Sequence, residues 1–380
     1  MNMKRLVCFL LALAMLGGMM VCAASPVPPP IDAPSGILIE QKTGTVLHEK
    51  DADARRSPAS VTKIMTLLLT VEAIEHGTLT LEDKVTISRN AMRMGGSTAY
   101  LAEGEVYTVH ELLKAVSVAS ANDGAVALAE HLAGSEESFV ARMNGRATEL
   151  GMQNTHFVNC HGLDDPDHYT TARDIALMSR ALLEHDLIRS YTTIWMDSLR
   201  DGTFTLSNTN RMIRYYTGTT GVKTGSTSIA KNCLSASALR DGMELIAIVL
   251  GADTSDLRYD SARKLLDFGF ANYQLVAVFP EEVLQPIPVV LGKSGEVQPV
   301  LQSDESIVVE KGSAGGLVKT VALAEKVHAP VEAGQKLGEL VVSSGDDVRA
   351  TVPIVAGEAI PKLSYWDILG GLLKTLLMID

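Results

Sequence analysis

Three short residue sets fall in one order along the chain: Ser60-Val61-Thr62-Lys63, Ser120-Ala121-Asn122 and Lys223-Thr224-Gly225. A serine followed one helical turn later by a lysine can supply a nucleophile and its base, because such side chains share a helix face. The lysine accepts a proton near neutrality only if burial lowers its pKa. A second serine beside an asparagine offers a proton relay and an amide to hold a peptide. A lysine–threonine pair offers donors for a carboxylate. Together these groups suit acyl transfer through a serine ester.

Each set alone is weak. Ser228/Lys231 and Ser261/Lys264 repeat the first spacing, Ser88/Asn90 the second, and Lys42-Thr43-Gly44 the third. Local context separates the candidates from these repeats. Ser57-Pro58 reads as a helix N-cap and first-turn proline, Val61, Ile64, Met65 and Leu68 recur at helical spacing, and Gly77 is a stop. Ser60 then lies in the first turn, where backbone N–H groups can also meet an oxyanion. By contrast, Ser261/Lys264 reads as part of an amphipathic helix facing water.

Thr108-Val109-His110-Glu111 is a capping box, and Leu112, Leu113, Val116 and Ala119 form the apolar face of the helix it opens. Ser120-Ala121-Asn122 falls at the end of that helix, before a second helical run. A plain capping segment has the same composition, so only the company of the other sets favours chemistry. The third set lies on a strand: Gly221 to Thr227 precedes two apolar runs joined by Arg240-Asp241-Gly242, a strong hairpin pattern. Gly225 there permits close backbone approach. Lys42-Thr43-Gly44, between Ile37-Leu38-Ile39 and Val46-Leu47, reads as a turn.

The ordered set resembles that of penicillin-binding proteins and class A β-lactamases. The flanks are more specific. Ser57 to Thr66, Gly151-Met152, Asn154-Thr155, His161-Gly162-Leu163 and Thr170-Thr171-Ala172-Arg173-Asp174 are similar to the serine D-alanyl-D-alanine carboxypeptidase family of low-molecular-mass penicillin-binding proteins. The resemblance covers nearly the whole chain. It implies an α+β fold: a penicillin-binding/β-lactamase-like catalytic domain, with an antiparallel sheet flanked by helices and a helical subdomain carrying Ser120. A small all-β domain and a C-terminal amphipathic helix follow.

The same resemblance implies the roles. Ser60 attacks the carbonyl between the terminal D-alanines of a peptidoglycan stem peptide, and Lys63 takes its proton. Ser120 and Lys223 pass a proton to the departing D-alanine, and Asn122 holds the peptide. The amides of Ser60 and Ser226 form the oxyanion hole, beside Gly225. Thr224 binds the terminal carboxylate with Arg258, for which Arg240 or Arg263 are alternatives. β-Lactams acylate the same serine, and neither metal nor cofactor is implied. Two departures are Ala121, where relatives often have glycine, and Ser226, where some have histidine.

Length and charge set the bounds. The chain has 380 residues and a formal net charge of −12, so it has room for two domains and an acidic surface that argues against nucleic acid. Residues 1–24 carry Lys4-Arg5, an apolar run and Val21-Cys22-Ala23-Ala24, the pattern of a cleaved signal peptide. Residues 25–274 then form the expected catalytic domain. Cys160 and Cys233 remain, without a disulfide framework. His156, Cys160, His161 and His168 fit no zinc spacing.

Composition shifts near Tyr273. Short β-rich runs, among them Ile287–Leu291, Ser306–Glu310, Val318–Leu323, Leu340–Val342 and Arg349–Val355, fill an expected β-domain over residues 275–360. In residues 361–380, one helical arc carries Tyr365, Trp366, Ile368, Leu369, Leu372, Leu373, Leu376 and Leu377, and the other carries Ser364, Asp367, Lys374 and Thr375. That pattern suits a helix lying in a membrane interface on the outer face of the cytoplasmic membrane. A D,D-endopeptidase shares every motif. A β-lactamase would need a deacylating glutamate in a Glu-x-x-Leu-Asn context, which the chain lacks. A silent wall-binding protein does not need the intact set.

Overall fold

The computed structural model describes residues 26–377. The expected signal peptide, residues 1–24, and the final residues 378–380 of the expected terminal helix lie outside the described residues. The principal sheet has five strands: β1 (Ser35–Glu40), β2 (Val46–Lys50), β3 (Thr219–Thr227), β4 (Lys231–Arg240) and β5 (Met243–Ala252). Their order is β2-β1-β5-β4-β3, antiparallel throughout. The strand carrying the Lys-Thr-Gly set is thus an edge strand.

Every residue of β5 is buried because both faces of the sheet are covered. Strand periodicity divides it: Ile246, Ile248 and Leu250 enter one core with the helical subdomain, and Leu245, Ala247 and Val249 the other. The second core is covered by α5 (Ser255–Asn272), which closes the catalytic domain. The first holds α1 (Lys63–Glu75), α2 (Val109–Val118), α3 (Asn122–Ala133) and α4 (Ala172–Leu183). The β4–β5 turn has Asp241 at φ 49° and Gly242 at φ 77°, the paired positive values that its Asp-Gly signal predicts. Lys42-Thr43-Gly44 is a turn between β1 and β2, held by the buried Glu40 carboxylate, which accepts from the Lys42 and Thr43 amides.

Two local expectations need correction. Ser57 does not cap a helix; its hydroxyl donates to Asp164 at 2.9 Å. Ala59, at φ 50°, lies outside the right-handed helical region; Ala59–Thr62 form a 3-10 turn, and α1 starts only at Lys63. Ser261 does not face water. It is fully buried and accepts from the Asp32 amide, which ties the segment before β1 to α5.

After α5 the chain enters β-structure at once, since Tyr273–Ala277 pairs with Ser306–Glu310. A four-stranded sheet includes Leu317–Leu323, Lys336–Ser344 and Asp347–Ala356. Val342, Val352 and Ile354 fill its core. The last helix, α6 (Tyr365–Leu377), begins after Ser364, whose amide and hydroxyl donate to the Asp367 carboxylate. Trp366, Leu372 and Leu376 on it are 75%, 64% and 80% exposed, so the helix does not bury its apolar arc on its own domain. Among the described residues no helix is long and apolar enough to cross a membrane.

Candidate active site

The nucleophile turn, the α2–α3 junction and β3 converge at one place. Lys63 is fully buried, and its Nζ donates to Ser60 Oγ at 3.0 Å, Asn122 Oδ1 at 2.5 Å and the His161 carbonyl at 2.7 Å. Burial pushes its pKa down to about 7. The neighbouring Cys160 and Asp123 oppose that shift. Cys160 is itself held well above its ordinary value by burial and by Glu136, so its thiol is neutral and Asp123 supplies the opposing charge. Near neutrality Lys63 can therefore take the Ser60 proton, as the motif requires.

Ser120 connects α2 and α3 at φ 60° and is 3% exposed. Such a φ turns the chain sharply and carries a backbone cost that the neighbours must hold in place. They do so through Asn122 and Asp123. The Asn122 amide N–H donates to Ser97 O and its side-chain Nδ2 to Gly95 O, both at 2.7 Å. The buried Asp123 carboxylate accepts from the Ala99 and Leu101 amides at 3.0 Å. The loop from Gly95 to Leu101 is thus a rim built onto the start of α3.

On β3, the Gly225 backbone packs against the nucleophile turn, and the Thr224 hydroxyl meets that of Thr209. A Cβ on Gly225 would lie 2.9 Å from Pro58 O and 3.0 Å from the Ser60 amide nitrogen, so only glycine lets strand and nucleophile approach this closely. Lys223 is 1% exposed and donates to Thr224 O at 3.1 Å. Burial, then the positive charges of Lys63 and Arg258, holds its pKa well below the ordinary lysine value. Thr224 donates to the Thr209 hydroxyl at 2.7 Å. Ser226 is exposed at the end of the strand. Arg258, 6% exposed on α5, donates to the Gly225 and Cys233 carbonyls and to Ser255 Oγ, which braces β3 from behind.

Several supporting residues had no role at the site assigned to them from the sequence. Asp164 accepts from Ser57 Oγ at 2.9 Å and from Thr227 Oγ1 at 2.8 Å, joining the nucleophile turn to the end of β3. Thr62 donates to Ala59 O and pairs with His168 Nε2 at 2.7 Å. Because His168 Nδ1 accepts from the Val158 amide, its proton is assigned to Nε2, pointing at Thr62. Burial keeps His168 neutral, with a pKa of about 4, and His161 likewise at about 3. His161 Nδ1 accepts from the Leu163 amide, and Nε2 lies 3.5 Å from Glu136. These histidines brace the loop behind Ser60. Cys160 and Cys233 are both free and buried.

The sequence matches a family model described as D-alanyl-D-alanine carboxypeptidase over residues 22–254, and one described as penicillin-binding protein 5, C-terminal domain, over residues 273–362. It is 41% identical over 339 residues to the D-alanyl-D-alanine carboxypeptidase DacF of Bacillus subtilis, covering 88% of this chain and 87% of that protein. It is 35% identical to DacC of Escherichia coli, covering 82% and 80% of the two chains. The crystal structure of penicillin binding protein 5 from Haemophilus influenzae superimposes with a TM-score of 0.78 at 29% identity, covering 88% of this chain and 99% of that one. The expected two-part architecture is therefore present, and the chain belongs to the D-alanyl-D-alanine carboxypeptidase family of serine peptidases.

Proposed function

We propose that this protein is a serine D-Ala-D-Ala carboxypeptidase that removes the terminal D-alanine from peptidoglycan stem peptides and is acylated by β-lactams. The observation that carries the reading is the fully buried Lys63 amine, 3.0 Å from Ser60 Oγ and with its pKa lowered to about 7. A surface lysine would be protonated and useless as a base.

In this reading Ser60 Oγ forms a bond to the carbonyl carbon of the penultimate D-alanine while Lys63 accepts its proton. The Ser60 and Ser226 amides receive the oxyanion. As the C–N bond breaks, Ser120 gives a proton to the leaving nitrogen and is resupplied from Lys223. Asn122, tethered between Lys63 and the Gly95 carbonyl, presents its amide to the peptide. The terminal carboxylate lies at the Thr224 end of the cleft, and Gly225 leaves room for the strand to lie against Ser60. Arg258 adds positive charge behind that pocket. Water then cleaves the ester.

The chain divides, in the same reading, into a catalytic domain (25–274), a β-domain that acts as spacer (275–360) and an interfacial helix (361–380), with the signal peptide (1–24) directing export. The exposed Trp366, Leu372 and Leu376 support peripheral attachment to the outer face of the cytoplasmic membrane. The test incubates the mature protein with a peptide ending in D-Ala-D-Ala and, separately, with a cross-linked muropeptide, followed by mass spectrometry. Loss of one D-alanine from the first is expected. Cleavage confined to the cross-link would replace the carboxypeptidase by an endopeptidase, and no cleavage of either would overturn the reading.

A further inference from the structure

Thr209 lies between the three elements that carry the site. Its amide donates to the Val118 carbonyl at the end of α2, just before Ser120. Its carbonyl accepts from Tyr259 OH at 2.7 Å, on α5 beside Arg258. Its hydroxyl accepts from Thr224 on β3 at 2.7 Å. The flanking residues fix it further: Asn208 Oδ1 accepts from the Asn210 amide, and Asn210 Nδ2 donates to Gly221 O. Asn208 and Asn210 are buried, whereas Thr209 is half-buried.

The direction of the hydrogen bond matters. Thr224 spends its proton on Thr209, and among the described residues Thr209 has no acceptor for its own. The free proton belongs to Thr209. A hydroxyl that accepts one hydrogen bond becomes a better donor in the next. The guanidinium of Arg258, which donates to the Gly225 carbonyl next along β3 from Thr224, places a positive charge close to the pair. A negatively charged acceptor is the chemistry these groups call for.

We infer that Thr209 is a substrate-binding residue: its hydroxyl donates to the terminal carboxylate of the peptide or of a β-lactam, with Thr224 behind it. This rests on reading the cleft as a site for carboxylate-bearing acyl donors. The Tyr259 and Val118 contacts hold the Thr209 backbone still, so donor placement is inherited from α2 and α5 rather than from a loose loop.

The test uses the full mature chain, its Thr209→Val and Thr209→Ser variants, and a penicillin as free acid and as methyl ester. Acylation is followed by intact mass, which records even slow reactions over hours. Thr209→Val should acylate with the acid about ten- to hundredfold more slowly, the loss expected for one hydrogen bond to a charged group. Thr209→Ser should restore the rate, and all three proteins should react with the ester alike. An unchanged acid rate in Thr209→Val overturns the inference. So does an equal fall for acid and ester, which would mark Thr209 as a purely structural residue. If the wild type is acylated but releases no D-alanine from a D-Ala-D-Ala peptide, the carboxypeptidase reading fails while the acid-to-ester comparison still decides the role of Thr209.

Discussion

The buried Lys63 makes a quantitative demand on pH dependence. With its pKa at about 7, the neutral amine is about a tenth of the population at pH 6, about half at pH 7 and about nine-tenths at pH 8. The neutral form is the base, so protons inhibit, and acylation must rise with pH and then flatten. Second-order acylation by a fluorescent penicillin, measured below saturation, reports the free enzyme. It should increase about tenfold from pH 6 to pH 8 and change little above about pH 8.5. A lysine of ordinary pKa would instead give a rise of about tenfold per unit, on the order of a thousandfold between pH 6 and pH 9, with no plateau. That outcome would refute the assignment of Lys63 as a buried, largely neutral base. A Cys160→Ser variant adds a second check. The Cys160 thiol is neutral by the argument from burial and Glu136, so the midpoint should stay in place. A midpoint that falls in this variant would show that a thiolate had been supporting the Lys63 charge.

Other expectations follow from the surroundings of the site. Asp164→Ala cuts the link between Ser57 and Thr227; it should cost about 1–3 kcal/mol in denaturant unfolding and slow acylation by loosening the two sides of the oxyanion hole. Wild-type acylation in that variant would show that the link is incidental. Gly162 has φ 91°, and a Cβ there would collide with the Ala59 carbonyl and lie 2.9 Å from the Ser60 nitrogen. Gly162→Ala should therefore lose about 3 kcal/mol or more and most penicillin labelling, and normal labelling would mean that the nucleophile turn tolerates displacement. Deleting residues 361–380 should release active protein from lipid vesicles, as read by co-sedimentation. Retention on the vesicles would place the attachment elsewhere.

The parts legible in the sequence are those with local causes. The Thr108–Glu111 capping box, the Asp241-Gly242 hairpin and the Gly77 stop each depend on a few neighbouring residues, and the structure has all of them. The nucleophile turn misled for a long-range reason. Ser57-Pro58 has the composition of a helix start, but Asp164, far along the chain, takes the serine hydroxyl, and the packing of Gly162 against Ala59 holds the turn in another shape. Ser261 misled similarly: its helix has an amphipathic composition, but the segment before β1, at Asp32, covers the serine. Thr209 was invisible because a threonine between two asparagines in a loop has no periodicity or motif. Only the approach of α2, α5 and β3 gives it meaning. Asp164, His161 and His168 belong to the same class, since their work is done through tertiary contacts with Ser57, Lys63 and Thr62.

The placement of two lysines in one buried site raises the question of how they divide the proton traffic. Both are shifted down chiefly by burial, and the positive charge of Lys63 lowers Lys223 further. An arriving carboxylate changes that balance asymmetrically. In the proposed reading it binds at the Thr224 end of β3, next to Lys223 in sequence, and an opposite charge within a few ångströms favours the protonated form. In the same reading Lys63, held by Ser60, Asn122 and His161 O, feels less of it. Binding should therefore load Lys223 with the proton that Ser120 needs, while leaving Lys63 neutral to receive the proton of Ser60. On this argument the substrate's own charge sorts two otherwise similar amines into acid and base. A ligand without the carboxylate then loses more than a hydrogen bond, because the leaving nitrogen also loses its proton supply.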